Sequence, residues 1–250
     1  MRLDQIALQL YTVRDLSARD LPGTLQAVAA AGYRSVELAG LFDVAADELR
    51  RLLDDAGLRP VAAHVGVDRL RAGLADVADR HRALGCDRVI VPSFPEEERR
   101  TADDVRLFAS ELNELARRLG EQGIRLGYHN HAFEFEPLGG TTVWDILLAE
   151  LSPDVDLELD VYWASVGGRN PSAILHEAGS RIRLLHMKDR TPGMPPRDAP
   201  AGAGILDFAD IIGAGWGAGV EWYVAEQDDP GDAVADIARA YQFLDSLAAG

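Results

Sequence analysis

The feature that most constrains the fold of this chain is the repeated alternation of a short apolar segment with a segment of helical periodicity. Apolar residues three and four positions apart predict amphipathic helices, and Gly32, Gly57 and Gly85 follow three of them as C-terminal stops. The predicted strands are residues 6–10, 35–38, 58–63, 88–91, 124–129, 155–159, 182–186 and 220–225. The predicted helices are residues 21–31, 45–56, 69–84, 102–119, 142–151, 171–178, 233–247 and a segment containing 208–212.

Strands that alternate with helices indicate a parallel sheet built from right-handed crossovers. Eight such units in 250 residues favour a single (β/α)8 TIM barrel over residues 1–250, rather than an open doubly wound sheet. No Gly-x-Gly-x-x-Gly follows the first strand and no Walker-type lysine loop occurs, so the main nucleotide-binding signatures are missing. The irregular segment 190–204 is interpreted as an active-site loop, because the strand-helix pattern resumes directly after it.

Charge and composition narrow the class of protein. A formal net charge of -16 opposes nonspecific binding to nucleic acid, whose affinity comes from Lys and Arg that neutralise phosphates. No apolar run approaches the roughly 20 residues that span a bilayer, and the acidic, short N-terminal segment does not predict a signal peptide. The single cysteine, Cys86, fits a reducing compartment. We therefore expect a cytoplasmic protein without membrane or nucleic-acid partners.

Polar side chains mark the ends of the predicted strands, where the active site of such a barrel lies. They are Gln9, Glu37, His64, the segment from His129 to Glu134, Asp160, His186 with Lys188, and Glu226. Carboxylates that converge on one mouth repel each other and their pKa values rise, unless a cation lies among them. We therefore expect a divalent metal ion near Asp160, His186 and Glu226, which end three consecutive strands.

The expected ligands include more carboxylates than imidazoles. Such a set suits Mn²⁺, Mg²⁺, Co²⁺ or Zn²⁺, and its oxygen-rich character makes Mn²⁺ the first choice. Glu134, just past the fifth strand, is a further candidate carboxylate. Glu158 faces the same side of its strand as Asp160 and is expected to support the ligands from lower in the barrel.

Several sequence blocks resemble the sugar phosphate isomerase/epimerase group of the xylose isomerase-like barrel superfamily. These blocks are Tyr128–Phe135 (YHNHAFEF), Glu158–Trp163 (ELDVYW), Leu185–Asp189 (LHMKD) and Val224–Asp228 (VAEQD), with further similarity at Gln9–Arg14 and Val36–Gly40. The resemblance therefore covers essentially the whole chain. One departure is Ala203, which stands where that group usually has an acidic residue in a glycine-rich turn.

The resemblance implies a metal set of Glu, Asp, His and Glu, which maps onto Glu134, Asp160, His186 and Glu226. The fifth strand offers two candidates, because many relatives carry the ligand glutamate where this chain has His129. Glu134 is preferred, since a carboxylate better neutralises a hard cation.

The reaction expected from this set is removal of a proton from the carbon next to a carbonyl of a sugar or keto-sugar. The metal would act as a Lewis acid that stabilises an enediolate. Either Glu226 or Glu134 would remove the proton, and the other would return it. Lys188 would stabilise oxyanion charge, or alternatively pair with Asp189 or Asp160. The candidate substrate-binding residues are Gln9, Glu37, His64, His129, His131 and Trp163, the last as a sugar-stacking ring or a rim aromatic.

Other functions remain open at this point. A lyase or dehydratase on inosose-like or 3-keto-glycoside substrates needs the same metal and base, plus an acid for the leaving hydroxyl. An endonuclease-type phosphodiesterase is opposed by the acidic charge, and a noncatalytic sugar-binding barrel is the remaining alternative. Many barrels of this type associate, so a homo-oligomer is compatible with the sequence. His81 and His176 lie within helical patterns and are expected at the surface.

Overall fold

Eight parallel strands close into a barrel within residues 1–40 and 44–248, which the computed structural model of the chain describes. They are Ile6–Gln9 (β1), Ser35–Ala39 (β2), Arg59–His64 (β3), Arg88–Val91 (β4), Arg125–His129 (β5), Val155–Asp160 (β6), Ile182–Arg190 (β7) and Trp222–Ala225 (β8). Each strand pairs with the next in chain order and β8 pairs with β1, so the sheet has no open side. The predicted (β/α)8 barrel is confirmed.

One main helix follows each strand and packs on the outside of the barrel. These helices are Leu21–Ala30 (α1), Ala46–Asp55 (α2), Val67–Leu84 (α3), Ala102–Gly120 (α4), Val143–Glu150 (α5), Pro171–Ala178 (α6), Phe208–Ala218 (α7) and Ala233–Leu247 (α8). Shorter elements are the helices Arg14–Ser17 and Val161–Val166, the 3-10 turns Leu3–Gln5, Leu10–Val13, Glu96–Glu98, Phe133–Phe135 and Gly179–Arg181, and the hairpin Pro137–Leu138 with Thr141–Thr142. Helix starts are set by side-chain caps: Thr101 and Asp104 each accept a hydrogen bond from the other's backbone N–H.

Alternation along the strands divides the apolar residues between two cores. Leu8, Leu159 and Leu185 belong to the large core between the barrel and the helices. A smaller cluster fills the barrel itself and consists of Ala7, Val61, Ala62, Ile90, Leu184 and Val224. Because side chains two positions apart face the same side of a strand, the residues that follow this inner cluster also point inward. Gln9, His186 and Glu226 therefore lie on the C-terminal side of this inner apolar cluster.

The segment after His186 is more regular than predicted. Strand β7 continues to Arg190, and Asp198–Pro200 pairs with it antiparallel, with Pro200 opposite Lys188. The segment 190–204 therefore contains a short strand instead of being wholly irregular. Its strand character escaped prediction because its pairing partner is β7 itself, and local sequence does not reveal such a contact.

The expected surface position of His81 is wrong. Its side chain is fully buried in α3, where Nδ1 lies 2.9 Å from the carbonyl oxygen of Val77. Burial lowers the pKa of this imidazole. His81 continues the apolar stripe that Leu74 and Val77 present to the core, so helical spacing alone could have placed it inside. His176 is exposed, as predicted.

A network of ion pairs lies at the N-terminal end of the barrel, below the inner apolar cluster. Arg88 and Asp156 are both 3% exposed, and the Arg88 Nε lies 3.1 Å from an Asp156 oxygen. Arg125 approaches the other Asp156 oxygen at 2.6 Å, and Glu221 pairs with Arg88 at 2.5 Å. Asp156 and Glu221 therefore share the two guanidinium groups of Arg88 and Arg125.

Replacement of Asp156 by alanine is expected to lower the free energy of unfolding by about 3 kcal/mol, because the buried guanidinium of Arg88 then keeps only Glu221 as a charged partner. Chemical denaturation of the purified variant measures this loss. Glu114→Ala is the matched control: its ion pair with Arg117 lies on the outer face of α4, where both side chains are more than half exposed, and its loss should cost less than about 1 kcal/mol. Equal stability losses in the two variants would contradict this interpretation of the buried network.

Candidate functional site

His186 is the centre of the polar cluster at the C-terminal end of the barrel. It is fully buried at the inward-facing side of β7, and both ring nitrogens face carboxylates. Nδ1 lies 2.7 Å from an oxygen of Glu226, and Nε2 lies 2.6 Å from Glu37 and 3.2 Å from Glu158. Among the described residues, two groups of side chains able to hold a metal ion share this imidazole. The first group consists of His64, His129, Glu158 and His186, and the second consists of Asp160, His186 and Glu226.

The first group, called here the inner group, is built from β3, β5, β6 and β7. One oxygen of Glu158 lies 2.8 Å from Nε2 of His64 and 3.0 Å from Nδ1 of His129, in addition to the contact with His186. Burial opposes the charge on Glu158, but His186 and the hydrogen bond from His129 hold its pKa well below the usual range. The inner group therefore concentrates three imidazoles around one ionised carboxylate.

The second group, Asp160, His186 and Glu226, is called here the outer group and has a resident cation. The Lys188 ammonium lies 3.1 Å from Asp160, 2.8 Å from Glu226 and 2.9 Å from Asp228. Burial alone would lower the pKa of Lys188, but these three carboxylates raise it well above the usual range. Lys188 is consequently held as an ammonium ion, which cannot act as a free-amine nucleophile.

Lys188 is also the only lysine among the 25 basic residues of the chain. Every other cation is arginine, and this compact ammonium occupies a fully buried position between carboxylates. The rings of Trp163 and Tyr162 lie 5.6 and 5.8 Å from its nitrogen, within range of a cation–π contact. A single lysine in an otherwise arginine-only set of basic residues indicates that position 188 requires an ammonium group.

Glu134 does not join the other predicted ligands. Its carboxylate is buried in the 3-10 turn after β5, where one oxygen accepts a hydrogen bond from the Tyr128 hydroxyl and the other from the His131 N–H, both at 2.7 Å. Burial raises the pKa of Glu134 to about 7. The structure thus departs from the predicted arrangement with Glu134 beside Asp160 and Glu226, because the turn folds this carboxylate back onto its own strand. The side chain of the fifth strand that reaches the cluster is His129.

A cavity of about 980 Å³ opens above the cluster at the C-terminal face. Four of the predicted substrate-binding residues, His64, His129, His131 and Trp163, line it. Glu226 and Lys188 also reach its wall, whereas Gln9 and Glu37 are fully buried beneath it. The Gln9 amide donates to Glu37 at 2.9 Å, so this pair supports the cluster from below. Sequence reasoning missed the lining residues Tyr11, Tyr162, Asp198 and Asp228, because loop geometry brings them to the cavity.

Asp189 orders the loop that forms one side of this cavity. Its carboxylate accepts hydrogen bonds from the backbone N–H groups of Arg190, Gly202, Gly204 and Leu206. A Cβ at Gly204 would lie 2.3 Å from the carbonyl oxygen of Arg190, so only glycine allows this close approach. The anchored loop carries Asp198, whose carboxylate accepts the N–H groups of Asp228 and Asp229. Asp189 thereby links the end of β7 to the acidic rim of the cavity.

His131 lines the cavity with a ring that packs against His129, Phe133 and Trp163. Its Nδ1 is buried and has no hydrogen-bond partner among the described residues. Burial and the nearby Lys188 lower the pKa of His131 to about 4, so this ring is neutral. An unpartnered neutral imidazole on the wall can accept or relay a proton or bind a substrate hydroxyl.

Comparison with known proteins agrees with this architecture. The model of a family described as xylose isomerase-like TIM barrel matches residues 25–247. The solved structure of a sugar phosphate isomerase/epimerase from Parabacteroides distasonis has a TM-score of 0.86 at 25% identity and covers 96% of this chain and 93% of that one.

Two curated relatives bear the names of dehydratases. A 3-dehydroshikimate dehydratase of Pseudomonas aeruginosa is 28% identical over 68% of this chain and 28% of that protein. An inosose dehydratase of Geobacillus kaustophilus is 28% identical over 68% of this chain and 65% of that protein. The match thus spans less than two thirds of the length of either relative. No helix in the described parts of the chain is both long and apolar enough to cross a membrane.

Proposed function

Because the chain belongs to the xylose isomerase-like TIM barrel family, we propose that it is a divalent-metal-dependent isomerase or epimerase of a sugar or keto-sugar. The reaction would begin with removal of a proton from the carbon next to the substrate carbonyl. The observation that carries this proposal is the convergence of metal-binding side chains on His186 directly beneath a cavity that also exposes Glu226 and Lys188. A cytoplasmic location, supported by the single buried Cys86, is part of the same proposal.

The donor set fits a divalent ion. One oxygen each of Glu37 and Glu158 is buried without a hydrogen-bond partner among the described residues, as expected where a carboxylate oxygen is free to bind a cation. The ion would be held around His186, where it would supply Lewis-acid stabilisation of negative charge on the substrate oxygens. The two carboxylates of the outer group are compatible with Mn²⁺, the ion first expected, whereas the three imidazoles of the inner group suit Zn²⁺ or Co²⁺.

Glu226 is the proposed base. It lines the cavity, and although burial opposes its charge, Lys188 and His186 hold its pKa well below the usual range, so the carboxylate is ionised but only weakly basic. Proton removal would therefore depend on the ion, which would make the substrate C–H bond more acidic. The Lys188 ammonium would stabilise negative charge that develops on the substrate oxygen. Glu134 was expected as the partner of Glu226 in removing and returning the proton, but it is not on the cavity wall. His131, a neutral imidazole on the cavity wall, takes that place in the proposal as a proton relay.

Dehydration is the second candidate reaction. The names of the two dehydratase relatives favour it, and elimination of water from a keto-sugar or inosose begins with the same proton removal. It additionally requires a proton donor for the leaving hydroxyl, which His131 could relay from solvent through the cavity. The two reactions therefore share the base and the ion, and they diverge only after the proton has been removed.

Solvent deuterium exchange separates these outcomes. The purified, metal-supplemented protein is incubated in D2O with a panel of ketoses, inososes and 3-keto-glycosides, and products are followed by NMR and mass spectrometry. Incorporation of deuterium next to a carbonyl without loss of water supports the isomerase or epimerase, and incorporation with loss of water supports the dehydratase. Glu226→Gln should lower exchange by about 10²- to 10⁴-fold, and exchange undiminished in this variant would remove Glu226 from the mechanism.

A further inference from the structure

We propose that Asn130 and Glu134 are positioning residues, which hold His131 in place at the wall of the cavity. This inference rests on the proposed function, in which His131 relays a proton, and it adds how the chain fixes the relay. Asn130 and Glu134 are both fully buried, whereas His131 lines the cavity. The two side chains would therefore act through His131 and not on the substrate.

Both backbone groups of His131 are bound by buried side chains. Strand β5 ends at His129, so His131 lies beyond the strand itself. The His131 N–H donates to one oxygen of Glu134 at 2.7 Å, and the Asn130 amide donates to the His131 carbonyl oxygen at 3.2 Å. A residue past the end of a strand thus has its N–H and C=O groups paired, as a residue within a strand does.

Glu134 connects His131 to the core outside the barrel. Its other oxygen accepts a hydrogen bond from the Tyr128 hydroxyl at 2.7 Å, and the Tyr128 ring packs edge-on against Phe94 and Phe108. The 3-10 turn after β5 folds the carboxylate back toward these two donors. The carboxylate is therefore a bridge between a packed aromatic ring and the backbone of His131.

Asn130 connects His131 to the end of β6. Its Oδ1 accepts the N–H of Asp160 at 3.0 Å, while its Nδ2 donates to the His131 carbonyl oxygen. The last residue pair between β5 and β6 is His129 with Glu158, so this amide continues the connection beyond the paired residues. An amide suits the position because it offers both a donor and an acceptor. His131 is thereby fixed relative to Asp160, a member of the outer group.

The imidazole of His131 is also confined by neighbouring rings. Phe133 lies nearly parallel to it at a centroid distance of 6.0 Å, Trp163 is tilted at 5.7 Å, and His129 stands edge-on at 5.1 Å. Because the backbone groups are held as well, the ring has little freedom to leave the cavity wall. A proton relay benefits from this fixation, since misplacement of a reacting group by about 1 Å can cost about 100-fold in rate.

Two substitutions of Glu134 separate positioning from chemistry. In Glu134→Gln, the carbonyl oxygen can accept the His131 N–H, and the amide can donate to the Tyr128 hydroxyl, which turns to receive it. This variant should keep kcat within about fivefold of the wild-type value. Glu134→Leu fills a similar volume but accepts neither hydrogen bond. It should lower kcat by about 100-fold and change KM by less than about threefold.

Two measurements compare these variants. Solvent deuterium incorporation into an accepted substrate, at varied substrate concentration, gives kcat and KM. Hydrogen exchange of the His131 amide, followed by NMR, reports whether its N–H is held and needs no substrate. This exchange should accelerate by at least about tenfold in Glu134→Leu and stay near the wild-type rate in Glu134→Gln. Asp156→Ala, which loses a buried ion pair at the opposite end of the barrel, controls for lost stability and should keep the wild-type kcat.

Glu134→Gln as inactive as Glu134→Leu would overturn the inference, since the carboxylate itself would then be required. Wild-type kcat in Glu134→Leu that circular dichroism shows to be folded would also overturn it. If Glu134→Leu does not fold, Tyr128→Phe keeps the packed ring and removes one hydrogen bond of the carboxylate. It should lower kcat by about tenfold and accelerate exchange of the His131 amide, and no change in either quantity would contradict the positioning role.

Failure of the proposed function would give a different result. The wild-type protein would then incorporate no deuterium into any tested substrate, whereas exchange of the His131 amide would still show whether Glu134 holds this residue.

Discussion

His186→Ala is expected to abolish divalent-metal binding and to lower turnover by at least about 10³-fold, because several kilocalories per mole of charge stabilisation leave with the ion. His186 is the only residue shared by the inner and outer groups. Its removal therefore disables metal binding whichever group holds the ion. Elemental analysis of the purified variant and an exchange assay measure the two effects separately.

The matched control is His176→Ala, which removes an exposed imidazole from the outer helix α6, outside the cavity lining. It should keep the metal content and activity of the wild type. Since loss of His186 leaves Glu37, Glu158 and Glu226 without their common partner, thermal melting must accompany the comparison. His186→Gln retains a polar side chain of similar reach and should show the same losses if the alanine variant is unstable. A folded His186 variant with full metal content would contradict the assignment.

Lys188→Met is expected to lower turnover by about 10³-fold, which corresponds to loss of one preorganised charge that stabilises the transition state. Methionine preserves much of the length of the side chain but removes the ammonium that contacts Asp160, Glu226 and Asp228. Metal content should remain close to that of the wild type, because Lys188, as an ammonium, offers no ligand atom and belongs to neither group. Steady-state kinetics together with elemental analysis test both parts.

Arg118→Met provides the control for the change in net charge. Arg118 is an exposed basic residue on α4, outside the cavity lining, and its replacement should leave turnover unchanged. Turnover of Lys188→Met equal to that of this control would show that the ammonium is structural only. Loss of the metal from a folded Lys188→Met protein would contradict the assignment of Lys188 to charge stabilisation alone.

The barrel was predictable because strand and helix periodicities are local properties of the sequence. The predicted bounds of β4, α6 and α8 agree with the structure, and most others differ by one or two residues. The antiparallel strand Asp198–Pro200 was not predicted, because its pairing with β7 is a tertiary contact.

The candidate site was predictable to the extent that strand ends are predictable. Asp160, His186 and Glu226 were expected together, and the structure brings them together. Glu134 was expected with them by ligand chemistry, but a single 3-10 turn directs it to Tyr128 instead. Glu158 was expected to lie lower and to act as support, and the structure places its carboxylate 2.8 to 3.2 Å from three imidazoles, beside a register shift between β6 and β7. Such displacements of a few ångströms are set by packing and cannot be derived from spacing along the chain.

The dependence of proton exchange on bound metal shows whether this barrel is a metal-dependent enzyme. The protein is freed of metal by a chelator, and the rate of deuterium incorporation from D2O into an accepted substrate is measured before and after one equivalent of Zn²⁺, Co²⁺ or Mn²⁺ is restored. We predict that exchange falls by at least about 10³-fold in the metal-free protein and returns with the ion. Exchange at the full rate in protein shown by elemental analysis to contain no metal would contradict the account.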